Sequence, residues 1–178
     1  MNVVVPDEFK YLYETNSQRP VLKIPEPILR QQAREITKVT KKIRYLAEDM
    51  IRIMKKANGI GLAAPQVGVS ERLIVIAPHG TKPMPLINPV VVSATGEMTG
   101  EEGCLSIPGL YGDVVRPSAV EVEAYDLKGR PIAFEMEGMA ARVVQHEIDH
   151  LNGILFIDKV IVETLHWQNP ETAKEDAE

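Results

Sequence analysis

Met139-Ala140-Ala141-Arg142-Val143-Val144-Gln145-His146-Glu147-Ile148-Asp149-His150-Leu151-Asn152 is the stretch on which the reading of this chain turns. Met139, Ala140, Val143, Val144, Ile148 and Leu151 recur at helical spacing and cover most of the circumference, so the pattern predicts a largely buried helix over 139–152. Gly153 ends it. His146 and His150 stand four apart, one turn along the same face, where both imidazoles reach one metal ion. Glu147 lies beside them, suited to take a proton from a water on such an ion. The ordinary alternative is two core histidines and a paired glutamate. Burying a carboxylate and two imidazoles without a shared purpose is costly, which favours the metal reading.

The segments before this helix set its surroundings. Val120, Val122 and Ala124 alternate with Glu121, Glu123 and Tyr125, then Asp126-Leu127-Lys128-Gly129 forms a turn. Ile132, Phe134 and Met136 alternate with Ala133, Glu135 and Glu137, so 119–137 reads as a hairpin with one wet face. Arg72–Ala77 and Leu86–Ser93 read as strands. Ile43, Leu46, Met50, Ile53 and Met54 predict an amphipathic helix over 40–57, stopped by Asn58-Gly59. Its basic side chains, Lys41, Lys42, Arg44, Arg52, Lys55 and Lys56, read as a solvated face rather than a phosphate site. The order helix, strands, helix predicts an α+β fold: mainly antiparallel sheets packed around a central buried helix that carries His-Glu-x-x-His.

A length of 178 residues fits one domain spanning 1–178, with loose ends at about 1–20 and 168–178. A formal charge of −5 argues against direct nucleic-acid binding. The longest apolar runs, such as Leu73–Ala77, fall far short of the roughly 18 residues of a membrane span. No secretory signal is visible, and the single cysteine, Cys104, allows no internal disulfide, so a cytoplasmic setting is expected.

A catalytic metal site wants a third protein ligand, and the choice separates the functions. Metzincin proteases add a glycine and a third histidine; Gly153 is present, but Phe156 stands where that histidine belongs. A gluzincin-type peptidase would use a downstream glutamate, for which Glu163 is the candidate, and His166 is a weaker option. Upstream, Cys104 sits in Glu101-Glu102-Gly103-Cys104-Leu105-Ser106, and a thiolate is an excellent ligand for zinc or ferrous iron. The hairpin doubles the chain back and makes that closure easy. Taken alone, Cys104 reads as a small core residue; beside the two histidines the ligand reading is the stronger. A further segment, Gly59-Ile60-Gly61-Leu62-Ala63-Ala64-Pro65-Gln66, reads as a tight packed loop whose small residues let a peptide backbone approach. Its Gln66 amide offers a donor to an oxyanion.

Together, Gly59–Gln66, Glu102–Ser106 and His146–His150 resemble the peptide deformylase family, over about Val21 to Lys159. The resemblance implies a metal-dependent amidase that removes the formyl group from the N-terminal methionine of newly synthesised polypeptides. It implies Cys104, His146 and His150 as metal ligands, and Glu147 as general base and then general acid. Gln66 and the backbone N–H of Leu105 would stabilise the oxyanion, and Gly61 would hydrogen-bond the substrate. Ile60, Val143 one turn before His146, and Met139 two turns before it would line an apolar pocket for the methionine side chain. The implied cofactor is one divalent ion, Fe2+ first, with Zn2+, Ni2+ or Co2+ as substitutes. Arg116 would pair with Asp149 or Glu102; the plain alternative is an exposed strand-end charge. Two features depart from some members. Tyr111 stands where an arginine contacts the peptide backbone. Residues 159–178 hold two lysines and five acids, so no basic helix for ribosome docking is seen, although proximity to the ribosome suits the substrate.

Overall fold

A computed structural model describes residues 1–170. Two helices and eight strands organise those residues. α1 spans Lys41–Lys56 and α2 spans Gly138–Leu151. The strands are β1 (Gly61–Ala63), β2 (Leu73–Ile76), β3 (Met84–Thr95), β4 (Met98–Cys104), β5 (Ile107–Arg116), β6 (Ala119–Tyr125), β7 (Pro131–Glu137) and β8 (His166–Trp167). One antiparallel sheet runs β1-β2-β3-β6-β7 and a second runs β4-β5-β8. The α+β class and the antiparallel sheets are as the sequence predicts.

Strand β2 shows how the layers are built. Leu73, Ile74, Val75 and Ile76 are all fully buried because both faces of the sheet are covered. Ile74 and Ile76 join Val143, Val144, Ile148 and Leu151 of α2 in one apolar cluster. Leu73 and Val75 join Ile43, Ala47, Met50 and Met54 of α1 in another. The β6–β7 hairpin keeps its alternation: Val120, Val122 and Ala124 face α2, and Val122 pairs with Phe134 across the strands. α1 starts at Thr40, whose Oγ1 accepts from the Ile43 N–H at 3.4 Å, and Asn58, with φ 54°, turns the chain away after it.

Three parts differ from the sequence expectation. Strands β4 and β5 form a hairpin through a stretch whose glycines and acids hide any strand pattern. The segment read as a loop at 59–66 contains strand β1 and then a 3-10 turn, Ala64–Val67. The N-terminal stretch, expected to be loose, carries a 3-10 turn over Asp7–Tyr13 whose Phe9 and Leu12 are buried. Phe9 packs on Trp167 with ring centroids 5.1 Å apart. Of the expected C-terminal tail, 171–178 lie outside the described residues.

Candidate active site

Helix α2, strand β4 and the β1 turn converge on one cleft of about 810 Å³. His146, Glu147 and His150 come from the last turns of α2, and Cys104 from the end of β4, where the two-residue turn Leu105-Ser106 leads into β5. The Sγ of Cys104 and one nitrogen each of His146 and His150 lie within 4.8 Å of one another. Cys104 Sγ stands 3.3 Å from His150 Nε2. Two donors bound at about 2.0–2.3 Å to one tetrahedral ion sit about 3.5 Å apart, so the spacing suits a shared ion. The other candidates stay apart: Glu163 is exposed, and His166 Nε2 faces Glu101 at 3.4 Å.

A buried ionic network braces this cluster. Glu102 Oε2 contacts His146 Nδ1 at 2.9 Å, which leaves Nε2 of that ring for an ion. Arg116 donates to both oxygens of Glu102 and, at 2.8 Å, to Asp149 Oδ2. Arg142 donates to Glu102 Oε1 at 2.8 Å and to the carbonyls of Val114 and Met98, each at 2.9 Å. Lys159 donates to Asp149 Oδ1 at 2.9 Å. Arg116 is therefore buried between both of its expected partners, and the reading as an exposed charge fails. Burial works against ionising Glu102, but the hydrogen bonds from Arg116 and His146 hold its carboxyl well below the usual range. Burial also disfavours a charged His146, yet its contacts with Cys104 and Glu102 lift it well above the ordinary imidazole range. His150, buried beside His146 and Arg116, is pushed well below it.

Glu147 has no such partner for its second oxygen. Its Oε2 and the Nδ1 of His150 are buried without a hydrogen-bond partner among the described residues. Burial pushes the Glu147 carboxyl up to about 7, with His146 pulling the other way. A thiolate, two imidazoles and an unpaired carboxylate oxygen beside them are the donor set that a zinc- or iron-type ion with a reacting water would use. The other oxygen packs on Gly61, where a Cβ would collide with Oε1 and stand 2.8 Å from the carboxylate carbon. Gly61→Ala is therefore expected to destabilise the fold by about 1–3 kcal/mol, the usual cost of overpacking, in a denaturant titration. An unchanged midpoint would show that the carboxylate yields freely.

Gln66 is buried and its amide is held in one orientation. Oε1 accepts from the Ala63 N–H at 2.9 Å, and Nε2 points to Ser106 Oγ at 3.1 Å and Cys104 Sγ at 3.7 Å. Ile60, Leu105, Met139 and Val143 line the same cleft; Met139 is exposed and Val143 is buried. Tyr111 also lines it, its ring against Gly103, where a Cβ would come within 2.6 Å. Of the ligand, catalytic and substrate-binding residues that the resemblance implies, each except His150 lines the cleft, and His150 reaches it through Cys104. Sequence reasoning missed two members of the ionic network, Lys159 and Arg142. The signal for Arg142 was a lone arginine within the apolar face of the predicted helix.

The family described as Polypeptide deformylase matches residues 18–165. The chain belongs to that family. The peptide deformylase of Desulforudis audaxviator is 47% identical over 140 residues, covering 78% of this chain and 91% of the relative. That of Parasynechococcus marenigrum is 54% identical over 138 residues, covering 75% and 69%. The crystal structure of peptide deformylase from Thermus thermophilus superposes with a TM-score of 0.78 at 44% identity, over 81% of this chain and 86% of that one. The region matched to the deformylase family includes all of the cleft's metal-type donors and begins after the Asp7–Tyr13 turn.

Proposed function

We propose that this deformylase-family chain hydrolyses the formyl amide of N-formyl-methionyl peptides, releasing formate and a free amino terminus. The observation that carries the reading is that donor atoms of Cys104, His146 and His150 lie within 4.8 Å of one another beside a cleft that Glu147, with its buried unpartnered oxygen, also lines. In this reading α2 is the central helix of the fold and its last two turns hold the ion. A divalent ion on these donors would acidify a water and polarise the formyl carbonyl.

The protein's own groups then divide the work. Glu147 takes the proton as the carbon–oxygen bond forms and hands it to the amine nitrogen as the carbon–nitrogen bond breaks. Gln66 Nε2 and the Leu105 N–H donate to the oxygen on which charge collects, and the Ala63 N–H on Oε1 fixes the plane of the Gln66 amide for this. Glu102 keeps the His146 ring in one orientation. The Gly61 backbone holds the peptide, and Ile60, Met139 and Val143 take the methionine side chain. The chain's setting is the cytoplasm, near ribosomes where formylated peptides emerge. The described residues contain no helix long and apolar enough to cross a membrane.

The test is formate release from formyl-methionyl peptides by the metal-loaded chain, with Glu163→Ala as control. Unimpaired hydrolysis by that variant supports the reading, and loss of metal from it would favour a gluzincin-type site. Val143→Asp is expected to raise KM for formyl-methionyl peptides while metal content holds, since a carboxylate would enter the apolar pocket. Unchanged kinetics would put the methionine elsewhere.

The ion proposed is Fe2+, with Zn2+, Ni2+ and Co2+ able to substitute. A thiolate-ligated ferrous ion is open to oxygen, so purification in air is expected to cost activity that Ni2+ or Co2+ restores. An aerobic preparation with full zinc and lasting full activity would overturn the iron assignment and leave the ligand roles intact.

A further inference from the structure

Lys23 is a buried cation that the reaction above leaves unused. The Leu22 N–H donates to the Gln66 carbonyl at 2.8 Å and the Ile24 N–H to the Ser106 carbonyl at 3.1 Å. Lys23 is thereby pinned between the turn that carries Gln66 and the turn that follows Cys104. It is only 7% exposed, yet it lines the cleft. Its Nζ donates to the Val21 carbonyl at 2.5 Å, and no carboxylate pairs with it among the described residues. An ammonium carries three donors, and one carbonyl uses one of them. The other buried cations of the site differ: Arg116 rests on Glu102 and Asp149, and Arg142 on Glu102. A buried charge without a counter-charge is expensive unless a ligand supplies one.

Arg19 adds a second positive charge to the same cleft. Its guanidinium donates to the Tyr11 carbonyl at 2.8 Å and lies 5.8 Å from the centroid of the Tyr11 ring, again with no acid partner among the described residues. Burial pushes the Lys23 amine down to about 8, with Cys104 opposing and the Arg19 charge adding to the fall. Two cations that line one cleft, neither of them paired with a carboxylate among the described residues, make a place for an anion. The exposed acid that lines the cleft, Glu101, faces His166 instead.

We propose that Lys23 and Arg19 form a carboxylate-binding subsite that takes a negatively charged group of the peptide downstream of its formyl-methionine. The proposal rests on reading the cleft as the deformylase peptide site. The carboxylate comes either from an acidic side chain or from the free C-terminus of a short peptide. The subsite acts on binding, so it lowers KM and leaves kcat alone.

The experiment compares three substrates with the metal-loaded full chain: formyl-Met-Asn-Ala amide, formyl-Met-Asp-Ala amide, and formyl-Met-Asn-Ala with a free carboxylate. At least one charged peptide is expected to show a KM about 10-fold below that of the neutral amide, the scale of one charge-assisted hydrogen bond. Which one it is identifies the source of the carboxylate. Lys23→Met is expected to erase that advantage with the neutral amide unaffected, and Lys23→Arg to restore part of it. Arg19→Gln, an exposed change, is expected to weaken the same advantage and serves alone should Lys23→Met fail to fold. Equal KM for all three peptides in the unmodified chain would overturn the subsite, as would an advantage that survives both variants. Loss of metal from Lys23→Met with the advantage retained would overturn it too, by showing that the ammonium serves the Cys104 thiolate. Failure of the deformylase reading is separate: the neutral amide itself would then not be hydrolysed.

Discussion

Glu147→Gln is expected to lower turnover on formyl-methionyl peptides by about 10²–10⁴-fold with the metal still bound, the usual scale for a lost general acid–base group. The amide keeps the shape of the carboxylate, and Gly61 leaves the same room for it. What disappears is the ability of the buried oxygen to accept a proton and return it. That oxygen is free to do so in the native protein, because it has no hydrogen-bond partner among the described residues. Its pKa of about 7, raised by burial, puts uptake and release of a proton within reach near neutral pH. The measurement is kcat beside elemental analysis of the same sample. A variant within about threefold of the native rate, well short of the general acid–base range, would show that Glu147 is not the base.

Cys104→Ala is expected to act one step earlier, on the metal itself. Removing an outer hydrogen-bond partner of a ligand typically costs about 10–100-fold in metal affinity, so deleting one of the three proposed ligands is expected to exceed that. The described residues give no substitute. Glu163 is exposed and is not in the donor group of Cys104, His146 and His150, and Ser106, whose N–H points at the Cys104 sulfur at 3.4 Å, offers no thiolate. Elemental analysis after dialysis is expected to find the variant largely free of metal and inactive while its fold persists. One ion per chain in that variant would sink the assignment of Cys104.

What could be read in the chain, and what could not, follows from where each interaction lies. The His146-Glu147-x-x-His150 pair, the α1 pattern and the β6–β7 alternation depend on neighbours one turn or one residue apart, so periodicity carries them. The uniform burial of β2 was harder, because its four apolar residues divide between two separate clusters on opposite faces. Strands β4 and β5 left no pattern, since their positions answer to distant partners. Gly100 lies under Arg142, Gly103 under Tyr111 and Gly112 under Val160.

By itself, the sequence determined the α+β class, the helix with its two histidines and a glutamate, and a short list of third ligands. Only the tertiary structure showed which of them lies beside the histidines: the Cys104 sulfur stands 3.3 Å from His150, and His166 faces Glu101 instead. It also turned Glu102, Arg116, Arg142 and Asp149 from scattered charges into one buried network, and put Lys23 in the cleft with no carboxylate partner among the described residues. The physical reason is that a charge leaves no periodic trace of its own. Its place is set by partners tens of residues away, and the cost of burying it is known only once those partners are seen.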